Sequence, residues 1–182
     1  STADLCGVYL SLLKLFNRKF DIQEMIEEFI RIEPTDSIIF KDMTLFDYKK
    51  GEKYEAVGRY IKFYILAFEG PRIINTIVFN KKPLPPLLDM KDTFQLLKGG
   101  VKTCDIEKIA QASTLSIERN MSRLPYDVFP LVKNIMLKTG GKGIMGGHSG
   151  DVLGIIYDDM DRFLYAQKYA DSIPGYVPRF LE

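Results

Sequence analysis

Apolar residues recur at helical spacing from the start of the chain. Leu5, Val8, Tyr9, Leu12, Leu13 and Phe16 share one stripe, which predicts an amphipathic helix laid against a core. A second helix is expected to open at the N-cap Asp21. Glu24 three residues later makes a capping-box-like start, and Phe20 is placed to staple onto Met25. Ile22, Met25, Ile26, Phe29 and Ile30 form its buried face, and Pro34 stops it near Ile32 by disfavouring helical geometry at Glu33. Met43 to Tyr48 is short and β-prone, with a turn at Lys49-Lys50-Gly51. Tyr60 to Phe68 reads as a central strand, because Ile61, Phe63, Ile65 and Ala67 alternate with side chains that are mostly apolar too.

A proline-rich connection, Pro83 to Pro86, then separates a more β-like first part from a helical second part. One helix is expected over Leu87 to Leu97. Another starts at the cap Asp105 and carries Ile106, Ile109, Ala110 and Ile117. A third places Val128, Leu131, Val132, Ile135 and Met136 on one face and ends at Gly140 as its C′ residue. Val152 to Tyr157 reads as a strand, and a last helix begins near Asp158 with Met160, Phe163, Leu164 and Gln167. A final strand is placed around Tyr176 to Phe180.

Between the third helix and the Val152 strand runs Lys138 to Gly154, KTGGKGIMGGHSGDVLG. It holds seven of the chain's fourteen glycines and its one histidine. Glycine at that density suits positive φ or close approach of another group to the backbone, and the reading is a loop forming a ligand wall. A flexible surface turn is the plainer alternative. No P-loop string is present. Gly147-His148-Ser149-Gly150-Asp151 is not a nucleophile elbow, since glycine is required where Asp151 stands. Two other places carry candidate chemistry. Ser1 and Thr2 open the first helix, either as caps or as a phosphate-binding N-terminus. Glu33-Pro34-Thr35-Asp36-Ser37 sets two carboxylates three apart on a proline-fixed turn, able to hold a metal, to take a proton, or to be a plain loop.

Composition narrows the class. A chain of 182 residues that is 46% hydrophobic supports one domain or two small lobes. A net charge of +1 gives no preference for nucleic acid or membrane. No apolar run is long enough to span a bilayer and the start lacks signal-peptide character, so a cytoplasmic location is expected. Cys6 and Cys104 fit a reducing compartment, and one histidine with two distant cysteines argues against structural zinc.

Three of these segments together resemble the GHMP kinases. Ser1-Thr2-Ala3-Asp4 looks like the tail of that family's serine-rich phosphate loop. Glu33-Pro34-Thr35-Asp36-Ser37, followed by Thr44-Leu45-Phe46-Asp47, is similar to a string of the L-threonine kinase branch, linked to propanediol utilisation and cobalamin biosynthesis. His148-Ser149-Gly150 and the glycines before it look like that branch's version of the third, glycine-rich motif.

The resemblance implies a two-lobed α+β kinase, with residues 1–50 as the remainder of a truncated N-terminal lobe. Residues 51–182 would be the C-terminal lobe, its helices on an antiparallel ferredoxin-like sheet. It implies ATP and Mg²⁺ as cofactors and a small hydroxyl-bearing substrate, L-threonine first. By the same resemblance Ser1 and Glu33 would hold Mg²⁺, Thr2 would sit beside the phosphates, and Asp36 would be the catalytic base. Gly146, Gly147, Ser149 and Gly150 would contact the cofactor, and His148 and Ser149 the substrate. Cys6 would lie near the site. The family's first motif and the residues expected before Ser1 are absent, so the fragment alone is expected to be inactive, with the apolar face of its first helix uncovered and prone to homodimerise. A kinase for another small alcohol and a non-catalytic module of the same fold are the alternatives.

Overall fold

The computed structural model describes residues 2–75, 78–79, 82–86, 88–148 and 150–181. They cluster into two compact units, Ser1–Tyr60 and Ile61–Glu182.

In the first unit, α1 (Thr2–Leu15) and α2 (Ile22–Ile32) are joined by a short turn. Asp21 caps α2 as its position predicts, accepting from Gln23 N at 2.8 Å and Glu24 N at 3.2 Å. Met25, Ile26 and Phe29 are buried, and the helix stops at Ile32. Phe20 does not act as the expected staple. It is 55% exposed and meets the Tyr9 ring edge-on at 6.4 Å. The α1 stripe is also not the buried face its spacing suggests: only Thr2 and Leu13 are buried, while Val8, Leu12 and Phe16 are exposed. Tyr9 explains the difference, because α1 meets α2 along that side, with its ring 5.9 Å from Phe29 and its hydroxyl donating to Glu24.

A hairpin of β1 (Met43–Phe46) and β2 (Tyr54–Gly58) completes this unit. Gly51 turns it at φ +69°, and Asp47 N–H donates to Lys53 O at 2.8 Å. β2 carries no strand signal in the sequence, since its first three residues are all exposed and show no alternation.

The second unit is built on a four-stranded antiparallel sheet in the order β4-β5-β3-β6, from β3 (Tyr64–Glu69), β4 (Gly143–Gly146), β5 (Val152–Tyr157) and β6 (Val177–Leu181). Its helices are α3 (Lys91–Thr103), α4 (Ile106–Asn120), α5 (Phe129–Thr139) and α6 (Met160–Ala166). Leu66 and Phe68, Ile144, and Leu153, Ile155 and Tyr157 point from one sheet face into a core shared with Val132, Ile135 and Phe163. Tyr157 is anchored there by a 2.7 Å hydrogen bond with Thr139, and burial pushes its phenol up to about 12 against that bond.

Several boundaries differ from the pattern-based expectation. β3 begins at Tyr64, leaving Ile61 and Phe63 ahead of it. α3 runs through Gly99-Gly100 to Thr103 instead of ending at Leu97, because Gly100 is a packing position: a Cβ there would lie 2.9 Å from Ile109 Cγ1. Leu87, the expected start of that helix, lies outside the described residues. α4 and β5 match in place and type, with Asp105 capping α4 through Lys108 N. α5 ends at Gly140 in the left-handed region. Among the described residues the part after the proline-rich connection thus holds strands β4 to β6 beside its helices.

Candidate functional site

In the first unit the turn after α2 is held at every residue from 33 to 36 except proline. Glu33 N–H still donates to Phe29 O at 2.9 Å, closing the helix. Thr35 is fully buried, with its N–H on Tyr48 O at 3.0 Å and its hydroxyl on Glu33 O at 3.3 Å. Asp36 N–H donates to Thr2 Oγ1 at 3.2 Å, across 34 residues of sequence. The structure thus brings the opening turn of α1 against the carboxylate-bearing turn, two segments singled out separately in the sequence. Asp36 is exposed and its side chain does not cap the 3-10 turn Ser37–Ile39 that it precedes. Cys6, one turn into α1, is half-buried, and burial pushes its thiol up, so it is poorly suited to act as a thiolate.

In the second unit the glycine-rich segment is not one loop. Its middle is strand β4, and the glycines are there largely for packing. A Cβ on Gly143 would stand 2.3 Å from Ala110 O and 2.8 Å from Thr114 Oγ1, so α4 lies directly on the strand. Thr114 joins the two, donating to Ala110 O and accepting from Ile144 N–H, both at 2.8 Å. Gly143→Ala should therefore destabilise the unit by about 1–3 kcal/mol through overpacking, read as a lowered denaturant midpoint. A stability change under 0.5 kcal/mol would contradict this packing role.

Between β4 and β5 the described residues Gly147, His148 and Gly150 are held by side chains from elsewhere in the unit. Tyr126 donates its hydroxyl to the carbonyls of both Gly147 and Gly150. Burial pushes that phenol up to about 12, against the lowering charge of Arg72. His148 keeps an exposed surface, with Nε2 2.9 Å from Ser116 Oγ. Crowding of the ring by protein, followed by the charge of Arg123, lowers its pKa below the ordinary histidine value and favours the neutral imidazole. Asn120 donates to His148 O at 3.5 Å, while its buried Oδ1 and the buried Nε of Arg123 have no partner among the described residues. Asp151, at the far end of the turn, is clamped by Arg72, whose backbone N–H and side chain both donate to the carboxylate at 2.9 Å. Arg72 also reaches Pro125 O at 2.8 Å.

Thr2, Glu33 and Asp36 thus fall in the first unit, and Gly146, Gly147, His148 and Gly150 in the second. Ser1 and Ser149 lie outside the described residues. Tyr126, Arg72 and Ser116, which shape the glycine turn, carried no signal in the sequence; each acts across at least 21 residues of chain. Among the described residues no group of three or more His, Cys, Asp or Glu is arranged to hold a metal, and no helix is long and apolar enough to cross a membrane.

With α and antiparallel β combined in this way, the chain has the fold of the GHMP kinases. A homoserine kinase from Cytophaga hutchinsonii superposes with a TM-score of 0.67 at 13% identity, over 97% of this chain and 62% of the neighbour. A Streptococcus pneumoniae phosphomevalonate kinase, solved in complex with phosphomevalonate and AMPPNP, superposes at 0.63 and 14%, over 94% and 65%. In sequence the chain is similar to L-threonine kinase from Salmonella typhimurium, 24% identical over 163 residues, and to that of Citrobacter freundii, 22% identical over the same length. Each match covers 87% of this chain, and the chain spans about half the length of these curated relatives, 54% and 57%. No family model matches. The resemblance to GHMP kinases noted in the sequence is supported on both counts, since relatives and fold neighbours alike are small-molecule kinases.

Proposed function

We propose that this chain is a large part of an ATP-dependent kinase that phosphorylates the hydroxyl of a small metabolite, with L-threonine as the acceptor and O-phospho-L-threonine, a precursor in cobalamin biosynthesis, as the product. The observation that carries this reading is the turn at Glu33–Asp36. Its backbone is fixed by Tyr48 and Thr2, while the exposed Asp36 side chain makes no hydrogen bond among the described residues. A general base needs that combination of rigid placement and an unengaged carboxylate.

In this reading Asp36 accepts the proton of the acceptor hydroxyl as its oxygen attacks the γ-phosphorus, and ADP leaves. Thr2, at the N-terminal end of α1, would orient the phosphates together with the helix's free N–H groups. Glu33, with Ser1, would hold Mg²⁺. The donor set fits that ion, being hard oxygen. When bound, Mg²⁺ neutralises charge on the transferring phosphoryl group. Gly146, Gly147, Ser149 and Gly150 would approach the cofactor, and His148 would offer a neutral imidazole to the substrate.

The test is ADP release by the whole gene product with ATP and Mg²⁺, using L-threonine, L-serine and L-homoserine in turn. Turnover that depends on L-threonine is expected. Turnover only with another alcohol would overturn the choice of acceptor, and none with any of them would overturn the kinase reading. A non-catalytic interaction module has one observation in its favour, the exposed side of α1 at Val8, Leu12, Leu15 and Phe16, and the same assay separates the two.

A further inference from the structure

The face of the four-stranded sheet opposite the main core carries a cavity of about 240 Å³. Met145 of β4 and Ile156 of β5 form its floor, and α3 and α4 form its walls. Phe94 at 44% exposure, together with the half-buried Leu97, Ser113 and Ser116, opens it to solvent. Among the described residues no Asp, Glu, Lys or Arg lines it. Nucleotide phosphates or a zwitterionic amino acid would lose hydration there without gaining a charge partner among the described residues. The conclusion below does not rest on the kinase reading.

Four polar side chains among the described residues face the space: Thr93, Ser113, Ser116 and His148. Thr93 Oγ1 already accepts from Arg119 at 2.5 Å. Ser116 shares its hydroxyl with His148. The Ser113 hydroxyl has no hydrogen-bond partner among the described residues, and at three residues' distance it lies on the same side of α4 as Ser116. Two adjacent hydroxyls with unused capacity, on one side of α4 in a mostly apolar lining, suit a ligand with one polar end.

We propose that this cavity binds a small uncharged molecule with an apolar body and a single hydroxyl or carbonyl end. The body lies against Phe94, Leu97, Met145 and Ile156, and the polar end rests on Ser113 and Ser116. Size supports the class: an apolar protein cavity of about 150 Å³ accepts benzene, so 240 Å³ accommodates a ring with a short polar tail.

Benzyl alcohol is a suitable probe. Titrated into the full-length protein carrying ¹³C-methyl methionine, it should shift the Met145 and Met90 methyls saturably and leave Met25, which lines no part of the cavity, in place. Ala112→Phe should abolish the shift by filling the space. Ser113→Ala, a milder change that the fold tolerates, should weaken binding about 3- to 10-fold, as expected for one hydrogen bond. Toluene, lacking the polar end, should bind more weakly than benzyl alcohol by a similar factor, and ATP should not displace the probe. Equal shifts at Met25 and Met145, or no saturation, would overturn the site. Toluene binding as well as benzyl alcohol, with Ser113→Ala unchanged, would overturn the role of the hydroxyls. Displacement by ATP would overturn its separateness from the nucleotide chemistry.

Discussion

Asp36→Ala is expected to lower kcat by about 10²- to 10⁴-fold, the usual contribution of a positioned base, with thermal unfolding unchanged. The second half of that expectation comes from the fold. The Asp36 side chain is exposed and caps nothing, and the hydrogen bond that anchors this residue is made by its backbone N–H to Thr2. Truncation removes the carboxylate and leaves the turn in place. A loss of activity accompanied by a lowered midpoint would point to misfolding. Full activity with an unchanged midpoint would remove Asp36 from the chemistry and leave the rest of the proposal standing. Asp36→Asn is a useful companion: it keeps shape and polarity but cannot accept the proton, so its defect should match that of alanine.

The largest effect on stability is expected at Arg72. The Asp151 carboxylate is 2% exposed, and Arg72 supplies its hydrogen bonds from both backbone and side chain. The Arg72 guanidinium also lies over the Tyr126 ring at 5.2 Å. Arg72→Met would strand a buried negative charge, and breaking such a pair from one side costs about 3–5 kcal/mol. Arg72 itself is 41% exposed, so the lower end, about 3 kcal/mol, is expected. Burial pushes the Asp151 carboxyl up, but the hydrogen bonds and charge of Arg72 outweigh it, and its pKa lies below the ordinary carboxylate value. A group depressed on folding adds stability that is fully present above its unfolded pKa, about 3.9 for aspartate, and lost as pH falls through the folded value. Unfolding by urea at pH 7 and pH 3 should show wild type losing part of its stability at the lower pH. Arg72→Met should be less stable at pH 7 and should not lose this contribution on acidification. Wild-type stability rising between pH 7 and 3, or a cost below 1 kcal/mol at Arg72, would contradict the clamp.

Elements with strong local signals were legible in the sequence. The Asp21 and Asp105 caps, the Pro34 stop, the Gly140 C-terminus and the apolar run at Val152 each act within a few residues, so pattern reading found them. Elements defined by distant partners were hidden. Gly100 and Gly143 look like breakers in sequence, yet each is a point where another element comes too close for a side chain, so pattern reading ends α3 early and reads β4 as loop. The first helix was misjudged for the converse reason: a 3.6-residue stripe shows which side can be buried, not whether anything covers it. In the candidate site, the residue types at Glu33–Asp36 were visible, while the ties that hold them, through Tyr48 and Thr2, are long-range and were not. The Arg72–Asp151 pair spans 79 residues, and neither partner stands out in its own neighbourhood.

The thread of contacts from Ala110 through Thr114 to Ile144 also bears on how this chain behaves in a crowd of its own copies. β4 is the outer strand of the sheet, and an outer strand with free N–H groups is a template on which foreign strands add. Here the Ile144 N–H is occupied by a helix side chain, and the missing Cβ of Gly143 lets that helix lie flush against the strand. At the opposite margin β6 contains Pro178, which has no N–H to offer. Loosening α4 from β4 would therefore uncover a sticky edge, so the first sign of damage there should be fibrous or amorphous aggregation on mild heating, ahead of any change at the carboxylate turn.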